Sequence, residues 1–107
     1  MTDRELLELA AKAAGYERNS AGPIGPCEWN PLEDDGDALR LAVKLRLSID
    51  HNHSADQQRW VAADRNGCEG CYAPVSCVED EFEEADRHAA TRRAIVRAAA
   101  EIGKDMK

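Results

Sequence analysis

Three stretches of the chain carry apolar residues at every third or fourth position, the spacing of a helix that buries one face. They are TDRELLELAAKAAGY at 2–16, LEDDGDALRLAVKLRL at 32–47 and DRHAATRRAIVRAAAEIGKDMK at 86–107. The expected inner faces are Leu6, Leu9, Ala10 and Ala13; Ala38, Leu41, Ala42 and Leu45; and Thr91, Ala94, Ile95, Ala98 and Ile102. Each pattern predicts a helix packed on a core.

The ends of these helices are marked by residues with capping chemistry. Side chains that can accept a hydrogen bond from the first turn stand at Thr2, at Asp34 or Asp35, and at Asp86. Glycines that are expected to end the first and last helices are Gly15 and Gly103. The stretch ERNSAGPIGPCEWNP at 17–31 contains three prolines, which lack the donor that helices and strands need, and is expected to be a loop.

The period changes to two after the second helix. In LSIDHNH, at 47–53, two apolar residues and then His51 and His53 occupy alternate positions, which predicts a strand with one buried face. RWVAAD at 59–64 is expected to return as a second strand, and YAPVSCV at 72–78 is a candidate edge strand. The predicted fold class is α+β: one domain over 1–107, with three helices and a small antiparallel sheet of two to four strands, in the order α-α-β-β-(β)-α.

Three segments together resemble a known family. They are MTDRELLELAAKAAGY, WNPLEDDGDALRLAVKLRLSI at 29–49 and AATRRAIVRAAAEIGK at 89–104. They are similar to small proteins of tailed phages and prophages that are grouped as a phage αβα-sandwich domain. The resemblance implies a helix-flanked sheet and a phage or prophage origin, and it implies no activity. The cysteine-containing segment at about 65–80 corresponds to the variable part of that family, which supplies no cysteine motif.

The charge balance narrows the classes of partner. The 107 residues carry a formal net charge of −7, whereas direct binding to DNA or RNA needs a basic surface. An acidic surface favours solubility, and it also suits a protein that competes with nucleic acid for a basic partner. Only 5% of the residues are aromatic, so a thin core is expected, which a homodimer or a bound metal could support.

The chain shows no targeting pattern. Its N-terminus lacks the apolar run of a signal peptide, and no stretch approaches the roughly 20 apolar residues that span a bilayer. We therefore expect no membrane association and a location in the cytoplasm of the infected or lysogenic bacterium, where thiols stay reduced.

The cysteines are the strongest candidates for chemistry. CEGCYAPVSC holds Cys68, Cys71 and Cys77, and its C-x-x-C spacing lets two thiolates reach one zinc ion. The fourth ligand would be Cys27, His51 or His53. Since the strong zinc signature has two such pairs, free thiols are the favoured interpretation, with zinc and a Cys71–Cys77 disulfide as alternatives.

No catalytic set is recognisable. Glycines at the N-terminal side of the second helix lie among prolines and form no phosphate-binding loop, and no third group orients a Cys–His pair. The sequence therefore predicts a protein that is not an enzyme.

Four arginines concentrate positive charge in the last helix, directly after a run of six acids between Val78 and Arg87. These are Arg87, Arg92, Arg93 and Arg97. Arg92, Arg93 and Arg97 are expected to be exposed. We favour a solvated helix, with a protein-recognition surface as the alternative.

The functional expectation follows from these points. It is a noncatalytic phage or prophage accessory protein that binds another protein, from the host or the phage, for example to inhibit a host defence nuclease. The alternative is a small structural zinc module built on Cys68, Cys71, Cys77 and one further ligand.

Overall fold

A computed structural model describes residues 2–15, 18–19, 22–23, 29–53, 55, 57–65 and 75–105. These residues form helices α1 (Asp3–Ala13), α2 (Asp35–Leu45) and α3 (Arg87–Asp105), and strands β3 (Ser48–His51), β4 (Trp60–Arg65) and β5 (Val75–Asp80). Two further strands of two residues each, β1 (Arg18–Asn19) and β2 (Gly22–Pro23), pair antiparallel inside the expected loop. A 3-10 turn (Glu84–Asp86) leads directly into α3.

The helix starts follow the predicted capping chemistry. The Thr2 hydroxyl accepts a hydrogen bond from the Glu5 amide, and the Asp34 carboxylate accepts one from the Asp37 amide at 2.7 Å. Both caps satisfy amides that have no partner within their helix. Asp86, expected to cap α3, lies in the 3-10 turn instead.

The sheet has the order β3-β4-β5, and both of its pairings are antiparallel. Its register aligns Ile49, Ala63 and Cys77 across the three strands. Ala63 and Cys77 are buried and Ile49 is half-buried, so this row faces the helices. The predicted α+β fold and its element order are therefore confirmed.

Strand β3 is shorter than the alternating pattern of residues 47–53 predicted. β3 ends at His51, and both His51 and His53 are exposed, so the expectation of a buried face holds only for its apolar part. The reason is that β3 is an edge strand, and the core that covers Ile49 does not extend to the histidines.

Helix α3 is the centre of the fold and contacts α1, α2, β4 and β5. Its predicted inner face is correct except that Thr91 is only half-buried. Val96, Ala99 and Ala100 are buried as well, because helices and sheet pack on several sides of α3. Gly103 does not end this helix, which continues to Asp105. Among the described residues, no helix has the length and apolarity needed to cross a membrane.

Candidate functional site

The arginines of α3 tie that helix to the rest of the fold. Arg92 donates from Nε to the Leu32 carbonyl oxygen at 2.9 Å and forms an ion pair with Asp35 at the start of α2. Its side chain is only 19% exposed, so the expectation that it is exposed was wrong. The reason is that residues 32–35 fold over α3 and supply both acceptors.

Arg93 and Arg97 meet on one carboxylate of β5. The Glu79 carboxylate lies 3.3 Å from Arg93 Nε and 2.9 Å from Arg97 Nη1. Arg93 also pairs with Asp3 of α1, and Arg97 donates to the Val78 carbonyl oxygen at 3.0 Å. Their side chains are 44% and 40% exposed, so they are partly available to a partner while holding α1, α3 and β5 together.

Arg87 joins the start of α3 to the end of β3. It donates to the Glu84 carboxylate, to Asn52 Oδ1 at 2.8 Å and to His51 Nδ1 at 3.0 Å. Because arginine has no acceptor, His51 Nδ1 must carry the lone pair, which places the imidazole proton on Nε2. Hydrogen bonding from Arg87 lowers the pKa of the exposed Glu84 carboxyl below its ordinary value.

Of the predicted cysteine ligands, the structure describes Cys77, which is buried in β5 against α3. Burial raises the pKa of the Cys77 thiol, and the nearby Arg97 opposes this only in part. The neutral form of this thiol is therefore favoured. Cys27, Cys68 and Cys71 lie outside the described residues.

The two histidines considered as the fourth zinc ligand each form a hydrogen bond through Nδ1. His51 Nδ1 faces Arg87, and His53 Nδ1 accepts a hydrogen bond from the Ala55 amide at 3.1 Å. Within the described ranges, no group of three or more histidine, cysteine or acidic side chains is placed to hold a metal ion. Zinc binding through the cysteines stays a prediction.

A cleft of about 710 Å³ opens between α1, the 30–33 turn, the end of β5 and the start of α3. Its floor is apolar and includes Leu7, Leu32 and Phe82. Carboxylates from separate parts of the chain line it: Asp3, Glu33, Glu79, Asp80 and Asp86. We call this feature the acidic cleft.

The acidic cleft retains negative charge after its internal ion pairs are counted. Arg93, which also lines it, pairs with Asp3 and Glu79. Glu33, Asp80 and Asp86 are exposed and stand outside those pairs. The cleft can therefore receive cationic groups whose alkyl stems cover its apolar floor.

Sequence reasoning did not find this site. In the sequence the six acids before Arg87 form one run, whereas the structure places some of them in ion pairs and some in the cleft. Glu84 is held by Arg87 outside the cleft, Glu79 lines the cleft but is held by arginines, and Asp80 and Asp86 line it outside those ion pairs. The sequence feature that could have indicated this cleft is the run of acids around Phe82, since aromatic residues are rare in this chain.

Comparison of the chain with models of protein families, with curated proteins and with solved structures found no significant match.

Proposed function

We propose that this protein is a noncatalytic accessory protein of a tailed phage or prophage, and that it binds a basic host protein through the acidic cleft. The observation that carries the proposal is the combination of exposed carboxylates and an apolar floor in that cleft. The phage assignment rests on the resemblance of residues 1–16, 29–49 and 89–104 to the phage αβα-sandwich family.

The shape and chemistry of the acidic cleft suit a protein surface. Lysine and arginine side chains end in a cation and carry an apolar stem. Glu33, Asp80 and Asp86 can receive the cations, while Leu32 and Phe82 can cover the stems. Complementary charge raises the association rate and selects against acidic partners.

One concrete form of this function is inhibition of a host defence nuclease. A nuclease binds the phosphates of its substrate with a basic surface. A compact chain with a net charge of −7 can occupy that surface and exclude nucleic acid. The same charge disfavours direct binding of nucleic acid by the protein itself.

The test compares three tagged proteins in capture experiments from a bacterial host lysate. The cleft variant carries Glu33→Gln, Asp80→Asn and Asp86→Asn. The charge-matched control carries Asp50→Asn, Asp64→Asn and Glu101→Gln, none of which lines the cleft. We expect wild type and the control to retain one host protein that the cleft variant loses.

Two results would contradict the proposal. One is repeated failure of wild type to retain any specific host protein. The other is equal retention of the same protein by the cleft variant, which would place the contact surface elsewhere.

A further inference from the structure

The acidic cleft already holds one cation, which comes from the protein itself. The Arg93 side chain lines the cleft, and its guanidinium group lies between Asp3 of α1 and Glu79 of β5. Arg93 Nη1 donates to the Asp3 carboxylate at 3.1 Å, and Arg93 Nε lies 3.3 Å from the Glu79 carboxylate. Two carboxylates from separate elements therefore bind a guanidinium group inside the cleft.

The carboxylates of the acidic cleft fall into two groups. Asp3 and Glu79 are neutralised by Arg93. Among the described residues, the carboxylates that line the cleft outside any ion pair are those of Glu33, Asp80 and Asp86. A cationic partner therefore meets three free acceptors, and it meets a positive charge where Asp3 and Glu79 would otherwise be available.

The ion pairs of Arg93 are accessible to solvent. The side chain of Arg93 is 44% exposed and that of Asp3 is 65% exposed. Partly exposed pairs are weak, because water and salt screen them. Glu79 also lies 2.9 Å from Arg97, so its carboxylate keeps one partner when Arg93 is removed. Arg93 can therefore be exchanged for a cation of a partner while the link from α3 to β5 through Arg97 stays in place.

We propose that Arg93 is a built-in competitor of the partner's cations in the acidic cleft. It neutralises Asp3 and Glu79, and its charge repels a second cation, so it lowers the affinity of the cleft for basic proteins. The consequence is selectivity, since a partner must bring several cations to outweigh Arg93, which disfavours weakly basic surfaces. This inference rests on the function proposed for the cleft and adds a residue that limits it.

The other role open to Arg93 is purely structural. As a brace between α1, α3 and β5 it would support the acidic cleft, and its loss would weaken the binding of cations or leave it unchanged. A competitor has the opposite effect on binding, although it contributes to stability in the same way. The Arg93→Gln variant therefore separates the two roles, because only the competitor role makes the binding of cations tighter.

The test measures binding of a fluorescently labelled hexa-arginine amide to the full chain by fluorescence anisotropy, at about 0.15 M salt. We expect Arg93→Gln to bind this probe about fivefold more tightly than wild type, the scale of one partly exposed ion pair. Arg93→Lys keeps the positive charge, so its affinity should stay within about twofold of wild type. Circular dichroism verifies that each variant is folded.

Two further variants separate the effect of Arg93 from that of net charge. Lys104→Gln makes the same change in net charge at an exposed position of α3, about 16 Å further along the helix and outside the lining of the cleft. Its affinity for the probe should stay within about twofold of wild type. The double variant Asp3→Asn, Arg93→Gln lacks one of the released carboxylates, so its affinity should return towards that of wild type.

Three results would overturn the proposal. Unchanged or weaker binding by Arg93→Gln, while the cleft variant loses the probe, would leave the cleft as the cation site and Arg93 as a brace. Equal gains for Arg93→Gln and Lys104→Gln would reduce the effect to net charge. Equal binding of the probe by wild type and the cleft variant would remove the acidic cleft itself as a cation site, and the proposed function would fail with it.

Discussion

Gly103 of α3 lies so close to α1 that a β-carbon at position 103 would overlap the carbonyl oxygen of Leu9. The glycine stands inside the helix rather than at its end, and it permits the backbones of α1 and α3 to approach closely. Alanines dominate the buried positions around this contact, including Ala10 and Ala99. A core with so little side-chain volume depends on such close backbone packing.

Gly103→Ala is expected to lower the free energy of unfolding by about 2 kcal/mol, because overpacking here displaces backbone and outweighs the gain in helix propensity. Gly36→Ala in α2 is the matched control. Its β-carbon would meet side-chain atoms rather than backbone: the Asp34 carboxylate that caps α2 at 3.1 Å and the Arg40 guanidinium at 3.2 Å. Urea unfolding followed by circular dichroism gives both values, and equal effects of the two substitutions would contradict the close approach of α1 and α3.

The Glu79 carboxylate is predicted to couple α3 to β5 through Arg93 and Arg97. Glu79→Gln should reduce the free energy of unfolding by about 1 kcal/mol, the scale of a partly exposed ion-pair network. Double-mutant cycles with Arg93→Gln and Arg97→Gln should each show coupling that decreases at high salt. Additive effects in both cycles would show that the network contributes nothing to stability.

The Arg87–Glu84 pair is predicted to make stability depend on pH in the acid range. Since the hydrogen bond from Arg87 lowers the pKa of Glu84 in the folded state, the pair stabilises the protein above the ordinary glutamate pKa, and this contribution is lost as the pH falls through the folded-state pKa. Wild type and Glu84→Gln should therefore differ most above pH about 4.3 and converge below it.

Urea unfolding at a series of pH values measures this difference, and Arg87→Gln provides the partner for a double-mutant cycle. The coupling between the two substitutions should disappear at acid pH. A coupling that is constant across the whole series would contradict the assigned hydrogen bond.

Cys77 is predicted to be unreactive while the protein is folded. A variant with Cys27→Ser, Cys68→Ser and Cys71→Ser isolates this thiol, because the chain has four cysteines. Its reaction with Ellman's reagent should be slow and should accelerate only with denaturant, since burial keeps the thiol neutral and covered. Native reaction as fast as that of free cysteine would contradict the position of Cys77 in the core.

The same thiol gives a prediction at alkaline pH. Its folded-state pKa lies above the unfolded value, so its contribution to stability is complete below that unfolded value and is lost as the pH rises through the folded-state pKa. Cys77→Ala should remove this part of the alkaline loss of stability, as measured by urea unfolding in the isolated-thiol background. An unchanged alkaline slope would contradict the raised pKa.

Metal analysis tests the zinc alternative separately. Protein purified without added zinc should contain less than about a tenth of an equivalent, with four thiols that titrate in denaturant, if the cysteines are free. A stoichiometric metal content, lost in Cys68→Ser and Cys71→Ser variants, would establish the zinc module instead.

The parts of the fold that depend on local spacing could be predicted from the sequence. Leu41 and Leu45 repeat at helical spacing, and the Asp34 side chain can cap a helix. Helix α2 could therefore be predicted without knowing which elements it packs against. Gly103 and Arg92 were misjudged because their environments are set by Leu9 and Leu32, which are distant in the chain. The acidic cleft was missed for the same reason, since its carboxylates come from four separate segments.

The central claim is that the acidic cleft binds a basic host protein, and the most direct measurement is a comparison of dissociation constants for the captured protein. The proposed contacts are intact in wild type and in the charge-matched control, and they are removed in the cleft variant. We predict at least about tenfold weaker binding for the cleft variant, with the control within about twofold of wild type. Equal dissociation constants for all three proteins would contradict the claim.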